Sequence, residues 1–91
     1  MFKLGKVVQT AGVAEAILES KEFSKFVAHS LRRYTQCDWG EVDKEDCEAN
    51  DDAVKNGDRI LASYISPDGV KIWIITECDR SYTTILFPDE Y

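Results

Sequence analysis

The C-terminal third of the chain constrains the fold most, because it contains three apolar runs separated by two turn signals. The runs cover residues 59–65, 70–77 and 82–87. The sequence Ser66-Pro67-Asp68-Gly69 separates the first two runs, and its Pro and Gly positions are typical of a type I turn. Cys78-Asp79-Arg80-Ser81 separates the second run from the third. This succession of short runs and turns predicts a three-stranded antiparallel meander.

Two segments ahead of the meander have the spacing of amphipathic helices. Thr10 and Ser20 are each predicted to cap one of them, because a side-chain hydroxyl accepts a hydrogen bond from a free amide of the first turn. The second of these helices is predicted near residues 21–34. Residues 2–9 alternate weakly in hydropathy and are a candidate for an extra strand.

A third helix is predicted between Asp43, as its N-cap, and Asn56-Gly57, because Gly readily adopts the left-handed conformation that ends a helix. Asn50 is expected at the margin of the core, hydrogen-bonded to a neighbour. We therefore expect a single α+β domain over residues 1–91. In it, about three helices pack on one face of the three-stranded antiparallel meander, with the N-terminal segment as a candidate extra strand.

The turn lengths predict which residues share a face of the sheet. If residues 66–69 form a four-residue turn, Leu61 lies opposite Ile74, and a turn at Asp79-Arg80 places Ile74 opposite Ile85. The aliphatic face that should take the helices then carries Leu61, Ile65, Val70, Ile72, Ile74, Ile85 and Phe87. The other face carries Ile60, Ala62, Tyr64, Lys71, Trp73, Ile75, Tyr82, Thr84 and Leu86.

The second, aromatic face is too apolar to lie wholly in water. The N-terminal segment or the first helix is one candidate to cover it. A partner protein or a second copy of the chain is the other, because Trp and Tyr are enriched at interfaces. Tyr64, Trp73 and Tyr82 are therefore candidate interaction residues.

The negative charge is concentrated in one segment. The chain has a net charge of −6, and residues 38–58 contain nine acidic and two basic residues. This balance argues against direct binding of nucleic acid. Glu45, Glu48 and Asp52 are candidate residues for contact with a basic partner, and a solvated helix face is the simpler alternative. The segment lacks the D-x-D-x-D-G loop that would indicate calcium.

Two predicted loops hold a candidate binding cluster. One loop precedes the third helix, and the other follows the second strand of the meander. The cluster consists of Asp38, Trp39, Glu77, Asp79 and Arg80. If these loops meet, the cluster forms a polar pocket beside an indole, whereas ordinary turn chemistry also explains the same residues. The sequence has no G-x-S-x-G, HExxH or Walker motif, so no catalytic residue is assigned.

Three cysteines and one histidine are the remaining residues of chemical interest. Cys37, Cys47 and Cys78 are odd in number and form no CxxC pair, which favours reduced thiols and a cytoplasmic location. Their spacing, with or without His29, does not match a zinc site. No metal and no cofactor are expected, and no apolar run is long enough for a membrane span.

The predicted second helix has a basic side opposite its apolar stripe. Lys25, His29, Arg32 and Arg33 lie there. This side is interpreted either as a small basic patch for phosphate or an acidic partner, or as a solvated helix face.

Several short motifs spread over the chain share one resemblance. They are Leu4-Gly5, Thr10…Gly12, Asp38-Trp39-Gly40, Asp46, Asn50, Ile72-Trp73-Ile74-Ile75-Thr76-Glu77, Asp79-Arg80-Ser81, Thr83-Thr84-Ile85-Leu86 and Pro88…Glu90-Tyr91. Together they resemble a family of small uncharacterised bacterial proteins that are frequently encountered on plasmids and integrative elements. That family's pattern has a His followed by a Gly-Asp-Trp-Gly run, and Tyr34 and Cys37 stand here in place of the His and the first Gly.

The resemblance implies no established activity. Its mobile-element setting implies at most a modulator of host defence or plasmid functions. We expect a non-enzymatic protein-interaction module, engaging either an unknown protein partner or a second copy of itself. The alternative is a small, hydrolase-like enzyme that uses the cluster of Asp38, Glu77, Asp79 and Arg80.

Overall fold

A computed structural model describes residues 2–91. It shows an α+β fold with three α-helices and four strands, as the sequence predicts in outline. In chain order the elements are β1 (Lys6–Gln9), α1 (Ala11–Glu19), α2 (Lys21–Thr35), α3 (Lys44–Asn56), β2 (Ile60–Ile65), β3 (Lys71–Thr76), β4 (Tyr82–Leu86) and a 3₁₀ turn, η1 (Pro88–Glu90).

The strands form one mixed sheet in the order β1-β4-β3-β2. The antiparallel meander of β2, β3 and β4 is present. The candidate N-terminal strand also forms, and β1 runs parallel to β4 at the edge of the sheet. The predicted three-stranded antiparallel sheet therefore lacks one strand, β1. Because three helices lie between β1 and β2, the chain can cross over the sheet, and β1 pairs in parallel with β4.

The helix boundaries agree with the predicted caps. The hydroxyl of Thr10 accepts from the amide of Val13, and that of Ser20 accepts from the amide of Phe23. Asp43 accepts from the amide of Asp46 in the same way. These local hydrogen bonds satisfy amides that have no partner within the helix.

Helix α2 ends in a backbone arrangement that normally favours glycine. The amide of Asp38 donates to the carbonyl of Arg33, and the amide of Cys37 donates to that of Tyr34. Cys37 adopts a left-handed conformation with φ of 62°, which is the conformation of the residue that follows the cap in such helix ends.

The register of β2 differs from the prediction by one residue. Leu61 pairs with Ile75, not with Ile74. The amide of Gly69 donates to the carbonyl of Ser66, and the amide of Ser66 donates to the carbonyl of Val70. The loop therefore has three residues, with Gly69 left-handed at φ of 85°. The predicted register between β3 and β4 is confirmed, because Ile74 pairs with Ile85.

This one-residue difference exchanges the two faces of β2, because side chains alternate along a strand. The prediction that Ile60, Ala62 and Tyr64 lie on the aromatic face is wrong. They are fully buried on the helix-covered face with Ile72 and Ile74. We call this the helix face. The opposite side, called the outer face, carries Lys6, Val8, Leu61, Ser63, Ile65, Lys71, Trp73, Ile75, Tyr82, Thr84 and Leu86.

A chain of hydrogen bonds crosses the core on the helix face. The hydroxyl of Tyr34 lies 2.7 Å from that of Thr76, which lies 2.7 Å from that of Thr83. The hydroxyl of Thr83 donates to the carbonyl of Leu4 at 2.7 Å. Because each hydroxyl has only one proton, Thr76 must donate to Thr83 and Tyr34 must donate to Thr76. The chain joins α2, β3, β4 and the N-terminal segment.

The free edge of β2 is closed by other parts of the protein. The side-chain amide of Asn50 donates to the carbonyl of Leu61 (2.9 Å) and accepts from its amide (3.3 Å). The amide of Ser63 donates to the carbonyl of Trp39, and the carbonyl of Ser63 accepts from the amide of Glu41. These bonds occupy backbone groups that would otherwise invite another strand.

We expect Asn50→Asp to destabilise the protein. The substitution keeps the size of the side chain but places a carboxylate oxygen against the carbonyl of Leu61, so one buried hydrogen bond is replaced by repulsion. The free energy of unfolding in urea should fall by about 1–3 kcal/mol. Asp52→Asn, at an exposed position of the same helix, is the control and should change it little. An unchanged urea midpoint for Asn50→Asp would contradict this role.

The stability of the protein is expected to fall at high pH. Burial raises the pKa of Tyr34 from 10.0 to about 12 and also raises the pKa of Tyr64. The unfolded chain therefore releases these protons first. The contribution of Tyr34 should be complete below pH about 10 and be lost as the pH rises through about 12, an effect of about 3 kcal/mol. Urea unfolding measured at several pH values tests this expectation.

Tyr34→Phe should lower stability at neutral pH but make it less sensitive to pH above about 10, because one titrating hydroxyl is removed. Tyr82→Phe is the control, since Tyr82 is exposed, and it should alter neither quantity. Equal alkaline losses in the wild type and in Tyr34→Phe would show that this hydroxyl does not couple folding to pH.

Candidate functional site

The outer face of the sheet has an apolar centre. Ile75 and Leu86 are buried there, and Leu61, Trp73 and Val8 are half-buried. Towards the margins, Ile65 and Tyr82 are 44% and 43% exposed. Large apolar side chains that remain partly in water on one continuous surface are typical of a docking surface.

The C-terminal residue supplies the cover that the structure gives to this face. The ring of Tyr91 packs edge-on against Trp73, with centroids 5.8 Å apart. Arg59 lies over the same ring at 5.2 Å and donates to the tyrosine hydroxyl at 2.7 Å. Tyr91 itself remains 68% exposed. The centre of the outer face is therefore buried, while Tyr91 and the margins of the face remain exposed.

The N-terminal segment and α1 do not cover the outer face, contrary to the first sequence-based alternative. Phe2 and Leu4 pack against the buried cluster of the helix face, and Val13 of α1 belongs to that cluster. Phe2 contacts Tyr34 at 5.4 Å and Trp39 at 5.9 Å between ring centroids. A partner protein and a second copy remain as candidates to complete the cover.

Glu90 fixes the position of the C-terminal turn. Its Oε1 accepts from the hydroxyl of Thr10 (2.6 Å) and from the amide of Phe87 (2.9 Å). Its Oε2 accepts from the amide of Gly12 (3.2 Å). The Thr10 hydroxyl lowers the pKa of this carboxyl. A Cβ at position 12 would lie 2.5 Å from Oε2 of Glu90, so the absence of a side chain at Gly12 allows this contact.

The acidic helix α3 borders the outer face. Glu45, Glu48 and Asp52 are all exposed. A hollow of about 280 Å³ separates α3 from the outer face of β2 and is lined by Asp46, Ala49, Asn50, Arg59 and Leu61. Asp46 is the acidic residue of α3 that lines this hollow, whereas Glu45, Glu48 and Asp52 are not among its lining residues.

Among the candidate cluster residues, Asp38 and Trp39 have structural partners. Nε of Arg33 donates to Asp38 at 2.8 Å, and Nη2 donates to its other oxygen at 3.2 Å. This pairing lowers the pKa of the Asp38 carboxyl. Trp39 is buried, and its indole N–H donates to Asp51 at 3.0 Å. Tyr64 binds the same loop, because its hydroxyl donates to the carbonyl of Asp38.

Arg80 joins the β3–β4 turn to the end of α3. Its guanidinium donates to the carbonyl of Ala53 at 2.8 Å and to that of Asp58 at 2.7 Å. The position is left-handed, with φ of 60°, which would favour Gly or Asn. The cationic cap on the carbonyl end of α3 is the physical reason for Arg there. Arg80 also lies over the ring of Phe2 at 5.9 Å.

The two remaining acidic residues of the cluster also have their own partners. Glu77 lies 3.8 Å from Nε of Arg59. Asp79 accepts from the amide of Ser81, and hydrogen bonding to the side chain and then to the amide of Ser81 lowers the pKa of its carboxyl. General acid catalysis by a carboxyl group near neutral pH requires a raised pKa. Asp38 and Asp79 have lowered pKa values, so the arrangement suits ionised hydrogen-bond acceptors in turns.

The thiols and the histidine are not gathered into a metal site. Within residues 2–91, no group of three or more Cys, His, Asp or Glu side chains is placed to hold a metal ion. Cys37 and Cys47 are half-buried and Cys78 is exposed, all as free thiols. For the same residues, no helix has both the length and the apolar character needed to cross a bilayer.

Sequence reasoning missed Arg59 and Tyr91 as parts of the outer face, and Glu90 as the residue that fixes the C-terminal turn. Their contacts depend on the return of the chain after Pro88, which no periodicity indicates. The one local signal was the position of Arg59, because a residue two positions before Leu61 lies on the same side of the strand. No family model, curated protein or solved structure matches this chain.

We expect Arg80→Gly to destabilise the protein, although glycine relieves the strain of the left-handed backbone at this position. The loss of the charged cap on two carbonyls should lower the free energy of unfolding by about 1–2 kcal/mol. Arg80→Lys should lose less, because one of the contacts can be kept. Thermal and urea unfolding measure both. Arg32→Ala, at an exposed position of α2, is the control. A more stable Arg80→Gly variant would show that backbone strain outweighs the cap.

Proposed function

We propose that this protein is a non-enzymatic protein-interaction module whose partner docks on the outer face of the sheet. The observation that carries the proposal is that an aromatic and aliphatic sheet face lies on the side away from the helix-face core, with Ile65, Tyr82 and Tyr91 still 44%, 43% and 68% exposed. Trp73, Tyr82 and Tyr91 provide the kind of aromatic surface that is enriched at interfaces. Ile65 extends the apolar area to the end of β2.

The proposed partner is a protein that presents an apolar patch beside basic side chains. Its apolar residues would pack on Trp73 and Tyr82, and its basic residues would face α3. The support is electrostatic, because residues 38–58 carry nine acidic and two basic residues, and the hollow beside Asp46 places α3 next to the outer face. Such complementarity mainly increases the rate and specificity of association.

A second copy of the chain is the alternative occupant of the outer face. Each copy has a net charge of −6, so two copies repel each other at long range. We therefore propose a different, basic protein as the partner. A role as a modulator tied to mobile elements is part of the proposal and rests on the sequence resemblance alone.

The small-enzyme alternative has less support. Asp38, Glu77, Asp79 and Arg80 each have a partner that fixes a loop, a turn or a helix end. A catalytic cluster would need groups free to contact a substrate and at least one carboxyl with a raised pKa.

The proposal predicts that two different sets of substitutions remove the same partner. Ile65→Glu with Tyr82→Glu places charges on the outer face, and Glu45→Lys with Glu48→Lys and Asp52→Lys reverses the charge of α3. Each set should reduce partner capture from the native host at least about tenfold, which corresponds to about 1.4 kcal/mol. Quantitative mass spectrometry of the captured proteins measures the reduction.

Leu18→Glu is the matched control, because Leu18 is 89% exposed on α1. It should leave capture unchanged, and circular dichroism with urea unfolding should show that all variants fold. The mass of the purified protein in solution distinguishes the occupants. If the purified protein is a stable dimer and the Ile65→Glu with Tyr82→Glu variant is a monomer, the occupant of the outer face is a second copy and not a partner protein. Retained capture in both sets would contradict the docking surface.

A further inference from the structure

A separate cavity of about 430 Å³ opens on the helix side of the protein. It lies between the first half of α2 and the turn that joins β2 to β3. Its lining includes Glu22, Phe23, Lys25, Phe26 and His29 of α2, and Asp68 and Val70 at the β2–β3 turn. None of these residues belongs to the outer face or to the candidate loop cluster. Its volume is within the range of small-molecule sites, about 300–1,000 Å³.

Aromatic side chains form the apolar part of the cavity. The rings of Phe23 and Phe26 lie 5.9 Å apart at a tilt of 50°, and the rings of Phe23 and Phe87 lie 5.8 Å apart. Both rings are half-buried, and Val70 is 39% exposed. An apolar body placed here would remove these side chains from water, which is the main source of affinity in such clefts.

The cationic side chain of the cavity is Lys25, beside His29. Lys25 and His29 are four residues apart on α2, so their side chains are neighbours. Arg32 and Arg33 follow within the next turn, and α2 contains four Lys and Arg residues against one Glu. Arg33 is paired with Asp38, whereas Lys25 takes part in no ion pair in the described chain.

Two acidic residues also line the cavity and make its charge uneven. Glu22 lies in the first turn of α2, where a carboxylate is favoured by the helix dipole. Asp68 lies in the β2–β3 turn. No acidic residue lies three or four positions from His29 on α2, where its neighbours are Lys25, Phe26, Arg32 and Arg33. The side of the cavity at Lys25 and His29 is therefore the side that suits an anion, with Lys25 as its cation and His29 as a hydrogen-bonding neighbour.

We propose that this cavity binds a small amphipathic carboxylate. Its hydrocarbon or aromatic body would lie on Phe23, Phe26 and Val70, and its carboxylate would face Lys25 and His29. The ligand is bound without covalent chemistry. The inference is independent of the proposed docking on the outer face, since it uses other residues on the other side of the sheet.

The test compares three probes that share one body and differ in the head group: phenylbutyrate, phenylbutanol and phenylbutylamine. Each is titrated into the ¹⁵N-labelled protein at neutral pH and low salt, and binding is followed by amide chemical shifts. The carboxylate should bind about fivefold more tightly than the alcohol, as expected for exposed ion pairs, and the amine should bind most weakly. The shifts should lie in the first half of α2 and in the β2–β3 turn.

Two variants separate the apolar and the charged contributions. Val70→Trp should fill the cavity and abolish binding of all three probes. Lys25→Gln with His29→Gln should weaken the carboxylate to the level of the alcohol and leave the alcohol unchanged. Lys6→Gln with Lys55→Gln removes two cations elsewhere and should have no effect.

Three results would overturn the inference. One is binding of the carboxylate no tighter than that of the alcohol. Another is tightest binding of the amine, which would mean that Glu22 and Asp68 determine the selectivity. The third is unchanged binding in a folded Val70→Trp variant, which would place the probes elsewhere. None of these results bears on partner capture by the outer face, so the two proposals fail separately.

Discussion

The buried hydrogen-bond chain from Tyr34 to Leu4 is the constraint on which the rest of the structure depends. Its three bonds run from α2 through β3 and β4 to the N-terminal segment. Each of the three hydroxyl protons is donated once, so a shift of any one layer would leave a hydroxyl without a partner in the core. A buried polar group without a partner is costly, and networks of this kind select one arrangement among several that apolar packing alone would allow. The helix face is therefore fixed in register, and the outer face is fixed with it.

The parts of the fold that could be predicted are those that local chemistry determines. Thr10, Ser20 and Asp43 cap helices because their side chains reach amides three residues away. The register of β2 could not be predicted in the same way. Both alternating sets of this strand are apolar, Ile60, Ala62 and Tyr64 on one side and Leu61 and Ile65 on the other. The hydrophobic pattern therefore favours neither register. The register is set by the turn between β2 and β3, in which Gly69 is left-handed.

The candidate site was predicted only in part for the same reason. Trp73 and Tyr82 follow from the alternation of β3 and β4, whose register was clear. Tyr64 followed the wrong register of β2 and lies in the core. Arg59, Glu90 and Tyr91 come together only through contacts between distant parts of the chain, such as the carboxylate of Glu90 at the start of α1. The sequence analysis named Arg80 as a candidate site residue because of its charge. In the structure this charge binds the backbone carbonyls of Ala53 and Asp58 at the end of α3.

The position of Tyr91 has a practical consequence for work with this protein. Since its ring lies against Trp73, any peptide attached after it, such as an affinity tag or a fluorescent fusion, would emerge directly above the outer face. A bait carrying such an extension would hide the surface that it is meant to display. Immobilisation through an exposed side chain of α1, for example a cysteine introduced at Leu18, would leave that surface open.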